Sequence, residues 1–174
     1  LEFNMSTKTI IISSSGLKNI TLNSSDIEDD LILVFGDHTI QMNRIFAEFI
    51  SPIVSHIRQS DPTIQYVNFE NLFSSKKSDF IKCTNDIFSS DIISIFRDIS
   101  SGSSIEIDNS QALKLRFLSI ILGNEELFNK INELFPPDFS KENISNYIDF
   151  IQTCYHFSRL FSKCKTADWS NKAI

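Results

Sequence analysis

Basic charge is scarce in this chain. Sixteen lysines and arginines stand against 22 acids in 174 residues, a net charge of −6. No basic run extends beyond Lys76-Lys77. A nucleic-acid binder needs a basic face to displace counterions from phosphates, so that class is set aside. Long apolar runs are also missing. None reaches the roughly 18–20 residues that span a bilayer, so no membrane span is expected, and the N-terminus does not read as a secretory signal. Cys83, Cys154 and Cys164 are odd in number and irregularly spaced. They read as reduced thiols of an intracellular protein, cytoplasmic or nuclear.

The usual marks of chemistry are absent too. The sequence holds no GxSxG, P-loop, HExxH or GxGxxG. His38 falls in a turn and His56 on a helix, neither beside a Ser or Cys nucleophile in any motif. Cys154, His156 and Cys164 lack the closely spaced pairs that zinc requires. The expectation is therefore no catalytic residue, no metal and no cofactor.

What the chain does have is apolar mass in short, well-punctuated pieces. Hydrophobic residues make up 41%, with 16 phenylalanines against one tryptophan and three tyrosines, which points to an interior packed with Ile and Phe. Leu1 to Asn4, ahead of Met5, reads as a cloning remnant. Thr9 to Ile12 is a β-branched run that suits an edge strand, and Asn19 to Thr21 could form another. Leu31 to Phe35 is apolar throughout and predicts a strand buried on both faces. Gly36-Asp37 is a turn signal, and Thr39 to Met42 returns as the hairpin partner. Asn43 then caps a helix carrying Ile45, Phe46, Phe49 and Ile50. Ser51-Pro52 reads as an N-cap with proline at the first helical position. The next helix bears Ile53, Val54 and Ile57 and ends near Asp61-Pro62.

Thr63 to Asn68 could be a third strand, and Asn71 to Ser78 a polar loop. A helix begins at Ser89-Ser90-Asp91 with Ile92, Ile95, Phe96 and Ile99 inward. After Gly102 comes a short strand, Ile105 to Ile107. Asn109 caps a helix with Leu113, Phe117, Ile120 and Ile121 on its apolar side. Gly123-Asn124 ends it, and Leu127, Ile131 and Leu134 mark another. Pro136-Pro137 is a boundary. Beyond it, roughly Lys141 to Lys163 carries two adjacent apolar stripes at helical spacing. One runs through Tyr147, Phe150, Cys154, Phe157 and Phe161, the other through Ile144, Ile148, Ile151 and Tyr155. A band that wide calls for cover by the preceding domain, a partner or further chain.

The run from Asp30 to Val54, with its turn glycine, the helix opening at Asn43-Arg44 and the Ser51-Pro52 break, resembles the start of a BTB/POZ domain. In that family an Asp opens the main strand, a basic residue follows a His at the first helix, and a Ser closes that helix. Asp30, Arg44 and Ser51 stand at those positions. Ile95-Phe96 to Gly102, then Ile105 to Ile107, then Asn109 to Phe135 look like the family's later half. The divergent BTB domains of protist proteins, often ahead of ankyrin repeats, are the most similar; Ile50-Ser51-Pro52 and Ser60 to Ile64 carry their recurrent "ISP" and "SDPTI". Asn43 stands where the family has His, Ser100-Ser101 where it has Tyr-Thr, and Glu48 where it prefers an apolar or small residue.

The resemblance implies an α+β, BTB/POZ-like fold: a small mixed β-sheet flanked by a helical cluster, with a C-terminal helical extension. The expected divisions are an N-terminal strand or arm over 5–26, the BTB/POZ-like domain over 27–135 and the extension over 136–174. It also implies a protein–protein interaction module rather than an enzyme, a scaffold or adaptor that homodimerises through the first helix and the N-terminal segment. Thr9 to Ile12 would then pair with the second protomer. Two alternatives accompany it: a substrate adaptor of a cullin-type ubiquitin ligase, and the N-terminal cap of a longer repeat protein. Asp30 and Arg44 are either a charged pocket at the dimer seam or a solvated strand-start acid beside a surface helix residue. Phe46, Phe49, Ile50 and Ile53 are either dimer contacts or plain core. Tyr147, Phe150, Phe157 and Phe161 are assigned to a partner or extension surface.

Overall fold

Local chemistry starts the fold at a hairpin. In a computed structural model that describes residues 7–11, 28–72, 84–85 and 88–136, strands β2 (Leu31–Phe35) and β3 (His38–Met42) pair antiparallel. The turn between them works because Gly36 takes a φ of +62°, which costs a residue without Cβ nothing. Leu31, Leu33, Phe35, Ile40 and Met42 point into the core. The expectation that β2 is buried on both faces fails at Ile32. It is 37% exposed, because its outward neighbours across the sheet are Gln41 and the solvent-facing Tyr66.

Helix α1 (Arg44–Ile50) follows with no loop. Asn43 Oδ1 accepts from the Ile45 N–H at 2.9 Å, satisfying one of the orphan donors at the helix start. Ser51 ends α1 and caps α2 (Pro52–Ser60), accepting from the Val54 N–H at 3.2 Å, with Pro52 placed where its missing N–H is no loss. The two helices form a hairpin that returns the chain to the sheet. There β4 (Tyr66–Asn68) pairs parallel to β2, giving a mixed three-stranded sheet of order β3-β2-β4. Only the last half of the expected Thr63–Asn68 strand is realised, since Asp61 ties Thr63 into a turn through bonds to its N–H and hydroxyl. Asn71 lies in a short helix, α3 (Phe69–Leu72), where its polar sequence suggests a loop.

Helix α4 (Ser90–Ser100) buries Ile92, Phe96 and Ile99, with Ile95 only partly covered. Strand β5 (Ile105–Ile107) pairs antiparallel with β1 (Lys8–Ile10) in a separate two-stranded sheet. Helix α5 (Asn109–Leu122) is capped by Asp108 rather than Asn109. Asp108 accepts from the Gln111 N–H at 2.8 Å, and Gln111 Oε1 accepts from the Asp108 N–H at 3.0 Å, a reciprocal capping box. Its buried apolar residues are Ala112, Leu115, Phe117, Leu118, Ile121 and Leu122, and Arg116 and Ser119 are buried with them, so more than one stripe is covered. Leu113 and Ile120 are half-buried rather than central. Gly123 reverses the chain at φ +69°, and α6 (Glu125–Leu134) packs back on α5.

One hydrophobic cluster joins these elements, from Ile10 through Phe35, Ile57, Phe96 and Leu118 to Phe135. Phe35 stacks on Phe69 at 4.5 Å between ring centroids and meets Phe88 at 4.7 Å. Burying side chains of this size contributes about 1.5–3 kcal/mol each against the entropy of ordering them. The chain is thus an α+β fold with small sheets and a helical cluster. Ile10 belongs to the same core cluster as Phe135. The expected strand at Asn19 to Thr21 and the helix over Lys141 to Lys163 lie outside the described residues.

Candidate functional site

The sharpest sequence pair does meet. Asp30 ends the approach to β2, and Arg44 opens α1. Asp30 Oδ2 lies 2.9 Å from Arg44 Nε, and Asp30 Oδ1 accepts from the Arg44 N–H at 2.9 Å. One carboxylate thus serves both the guanidinium and the positive end of the helix. Its setting differs from a buried charged pocket: the side chains are 28% and 54% exposed. Water screens such a pair, so it contributes at most about 1 kcal/mol. Two neighbours fix the acid's position. Asn43 Nδ2 donates to Glu28 O at 2.8 Å and Gln41 Nε2 to Asp29 O at 2.9 Å.

On α1 itself, Ala47 and Ile50 are buried. Ile50 is plain core. Phe46 and Phe49, and Ile53 at the start of α2, are partly buried and pack against the core. Ile45, one of the apolar residues of this helix, is 46% exposed. Successive helical residues advance about 100°, so Ile45 and Phe49 form the outward row, with Phe46 on one flank and Arg44 and Glu48 on the other. Glu48 Oε1 lies 2.5 Å from Nε of the buried Arg58 on α2, and Arg58 also donates to Ile64 O. Arg58 therefore ties α1, α2 and the approach to β4 together.

The orientation of that face is set from behind. Ser51 Oγ donates to Leu122 O at 2.9 Å, and Asn124 Nδ2 donates to Ile50 O at 2.8 Å. Both side chains are buried. The hinge of the α1–α2 hairpin is thereby clasped to the hinge of the α5–α6 hairpin. Sequence reasoning found Ser51 as a cap and Asn124 as a helix end. The bond between regions so far apart in the chain left no local signal.

β1 is held on the far side. Besides its pairing with β5, Lys8 Nζ donates to Leu134 O and sits 5.3 Å above the Phe135 ring, and Lys130 Nζ donates to Ile11 O. In this chain β1 pairs with its own β5. Arg116 donates to Phe135 O and fixes the end of α6.

Among the described residues no three His, Cys, Asp or Glu side chains are grouped as a metal ion would need, and no helix is long and apolar enough to cross a membrane. Cys83, Cys154, His156 and Cys164 lie outside the described residues, as do Tyr147, Phe150, Phe157 and Phe161. No family model, curated protein or solved structure matches the chain.

Proposed function

We propose that this chain is a BTB/POZ-like protein–protein interaction module whose first partner is a second copy of itself, bound through α1. The observation that carries the reading is the outward face of α1. Ile45 is exposed, and Phe46 and Phe49, with Ile53 in the first turn of α2, are only partly buried, so apolar surface remains open there. The order of elements supports it as well: a hairpin, two helices hinged at a capped proline, a parallel return strand, then two helices clasped to that hinge. Pairing of β1 with β5 gives a second route, since the same three-residue ladder satisfies either chain's strand edge when β1 is exchanged between copies.

The test is Ile45→Asp. Ile45 lies outside the buried core, so the variant is expected to keep the parent's circular dichroism spectrum and lose self-association, read by sedimentation over a concentration series. Unchanged association of a folded I45D protein removes α1 from the interface.

A further inference from the structure

The outward row of α1 carries more than apolar surface. Arg44 and Glu48 are one turn apart on the same flank of Ile45 and Phe49, opposite in sign, and 54% and 37% exposed. Each is already steadied by an intrachain partner at its back: Arg44 by Asp30 at 2.9 Å and Glu48 by Arg58 at 2.5 Å. Their side chains are thus held in place before any second molecule arrives, which lowers the entropic cost of using them again.

A twofold interface is self-complementary: where residue i meets residue j of the other copy, j meets i. Two α1 helices crossing antiparallel about such an axis bring Arg44 level with the second copy's Glu48, and Glu48 level with its Arg44. A parallel crossing would instead carry this flank to the opposite side of the seam, setting Arg44 and Glu48 against the second copy's Phe46 flank with no opposite charge to meet. We propose that α1 docks antiparallel on α1 of a second copy, with Ile45 and Phe49 at the centre and the reciprocal Arg44–Glu48 contacts as the register lock. The inference rests on the homodimer reading and adds its geometry. In the dimer each side of the seam carries an alternating run of charge, Asp30, Arg44, then Glu48 and Arg58 of the second copy. Arg44 and Glu48, the two ions the seam takes from water, then each have opposite charge on both sides, the condition under which a desolvated ion is tolerated.

Charge reversal distinguishes this register from others. Arg44→Glu alone brings two negative charges together at both symmetry-related contacts, and Glu48→Arg alone brings two positive charges together at both. Each variant by itself is expected to weaken self-association by about tenfold or more. Mixed in equal amounts, the two form a heterodimer in which one contact pairs two reversed side chains of opposite sign and the other pairs the two original ones. Both contacts are then attractive, and native mass spectrometry is expected to show the heterodimer well above either homodimer. Intrachain damage from losing the Asp30 or Arg58 contact would not be repaired by mixing. Arg44→Gln and Glu48→Gln, which keep hydrogen-bonding side chains, provide the check should a reversed variant fail to fold. Each is expected to weaken the dimer severalfold, and the loss is expected to shrink in high salt. A parent that dimerises while the mixture shows no preference for the heterodimer, or while both Gln variants match it, overturns the register and leaves the homodimer reading standing. A parent that stays monomeric overturns both.

Discussion

Ser51 and Asn124 hold each other's helices. Ser51 caps α2 and donates to the last carbonyl of α5 at Leu122, while Asn124 caps α6, accepting from the Leu127 N–H at 2.8 Å, and donates to the last carbonyl of α1 at Ile50. Four polar groups that helix ends leave exposed inside the core are satisfied by two side chains. The clasp sets the angle at which α1 presents Ile45 and Phe49, with Ile53 beside them in the first turn of α2.

Removing either side chain therefore costs twice, as a lost cap and as an unsatisfied buried carbonyl. Ser51→Ala and Asn124→Ala are each expected to lower stability by about 1–3 kcal/mol in denaturant titration. Both bonds brace one contact between hinges, so the double variant is expected to fall short of the sum of the single losses. Strict additivity would show that the two act independently.

Gly123 sits within this clasp. Its φ of +69° is left-handed, and a Cβ there would lie 3.1 Å from Ile53 Cγ1. Gly123→Ala is expected to cost about 1 kcal/mol or more from the backbone alone, with an added push on Ile53. A melting temperature equal to the parent's would contradict this.

Arg58 is buried and serves two acceptors, Glu48 Oε1 and Ile64 O. Arg58→Met keeps the stem and deletes the donors, leaving the Ile64 carbonyl without this bond. A loss of about 1–3 kcal/mol is expected, read by thermal melting. No loss would mean that Glu48 and Ile64 O are satisfied elsewhere.

Asp61 titrates below its ordinary range, chiefly because the Thr63 hydroxyl and then the Thr63 N–H donate to its carboxylate. A carboxyl depressed in the fold adds stability above its unfolded pKa and loses it as pH falls through the folded value. The parent's advantage over Asp61→Ala is therefore expected at neutral pH and to vanish in acid. A gap between their melting curves that is constant with pH would contradict this.

Much of the fold was legible because it is written in local chemistry. Gly36 with Asp37 marked the hairpin, Asn43 and Ser51-Pro52 marked the starts of α1 and α2, and Gly123-Asn124 marked the break before α6. Where two neighbours compete, locality fails: Asp108 outdid Asn109 as a cap because only it has a Gln three residues on to complete the box. Burial was less legible. Ile32 reads as core in sequence, yet the sheet turns it outward, and Ile45 shares the apolar composition of α1 while lying on its exposed side. Asp30 and Arg44 stand out in the sequence, but whether they form a pocket or lie solvated is not written there, since their exposure depends on what the rest of the chain covers. The Ser51–Asn124 clasp could not be read at all, since each residue's local role as a cap is complete without the other.

The central claim is that apolar surface left open on α1 is closed by a second copy. Light scattering on the purified chain at tens of micromolar measures this most directly. A particle of twice the chain mass, falling to one chain mass in Ile45→Asp, is the predicted result; a parent with the mass of a single folded chain at that concentration would contradict it.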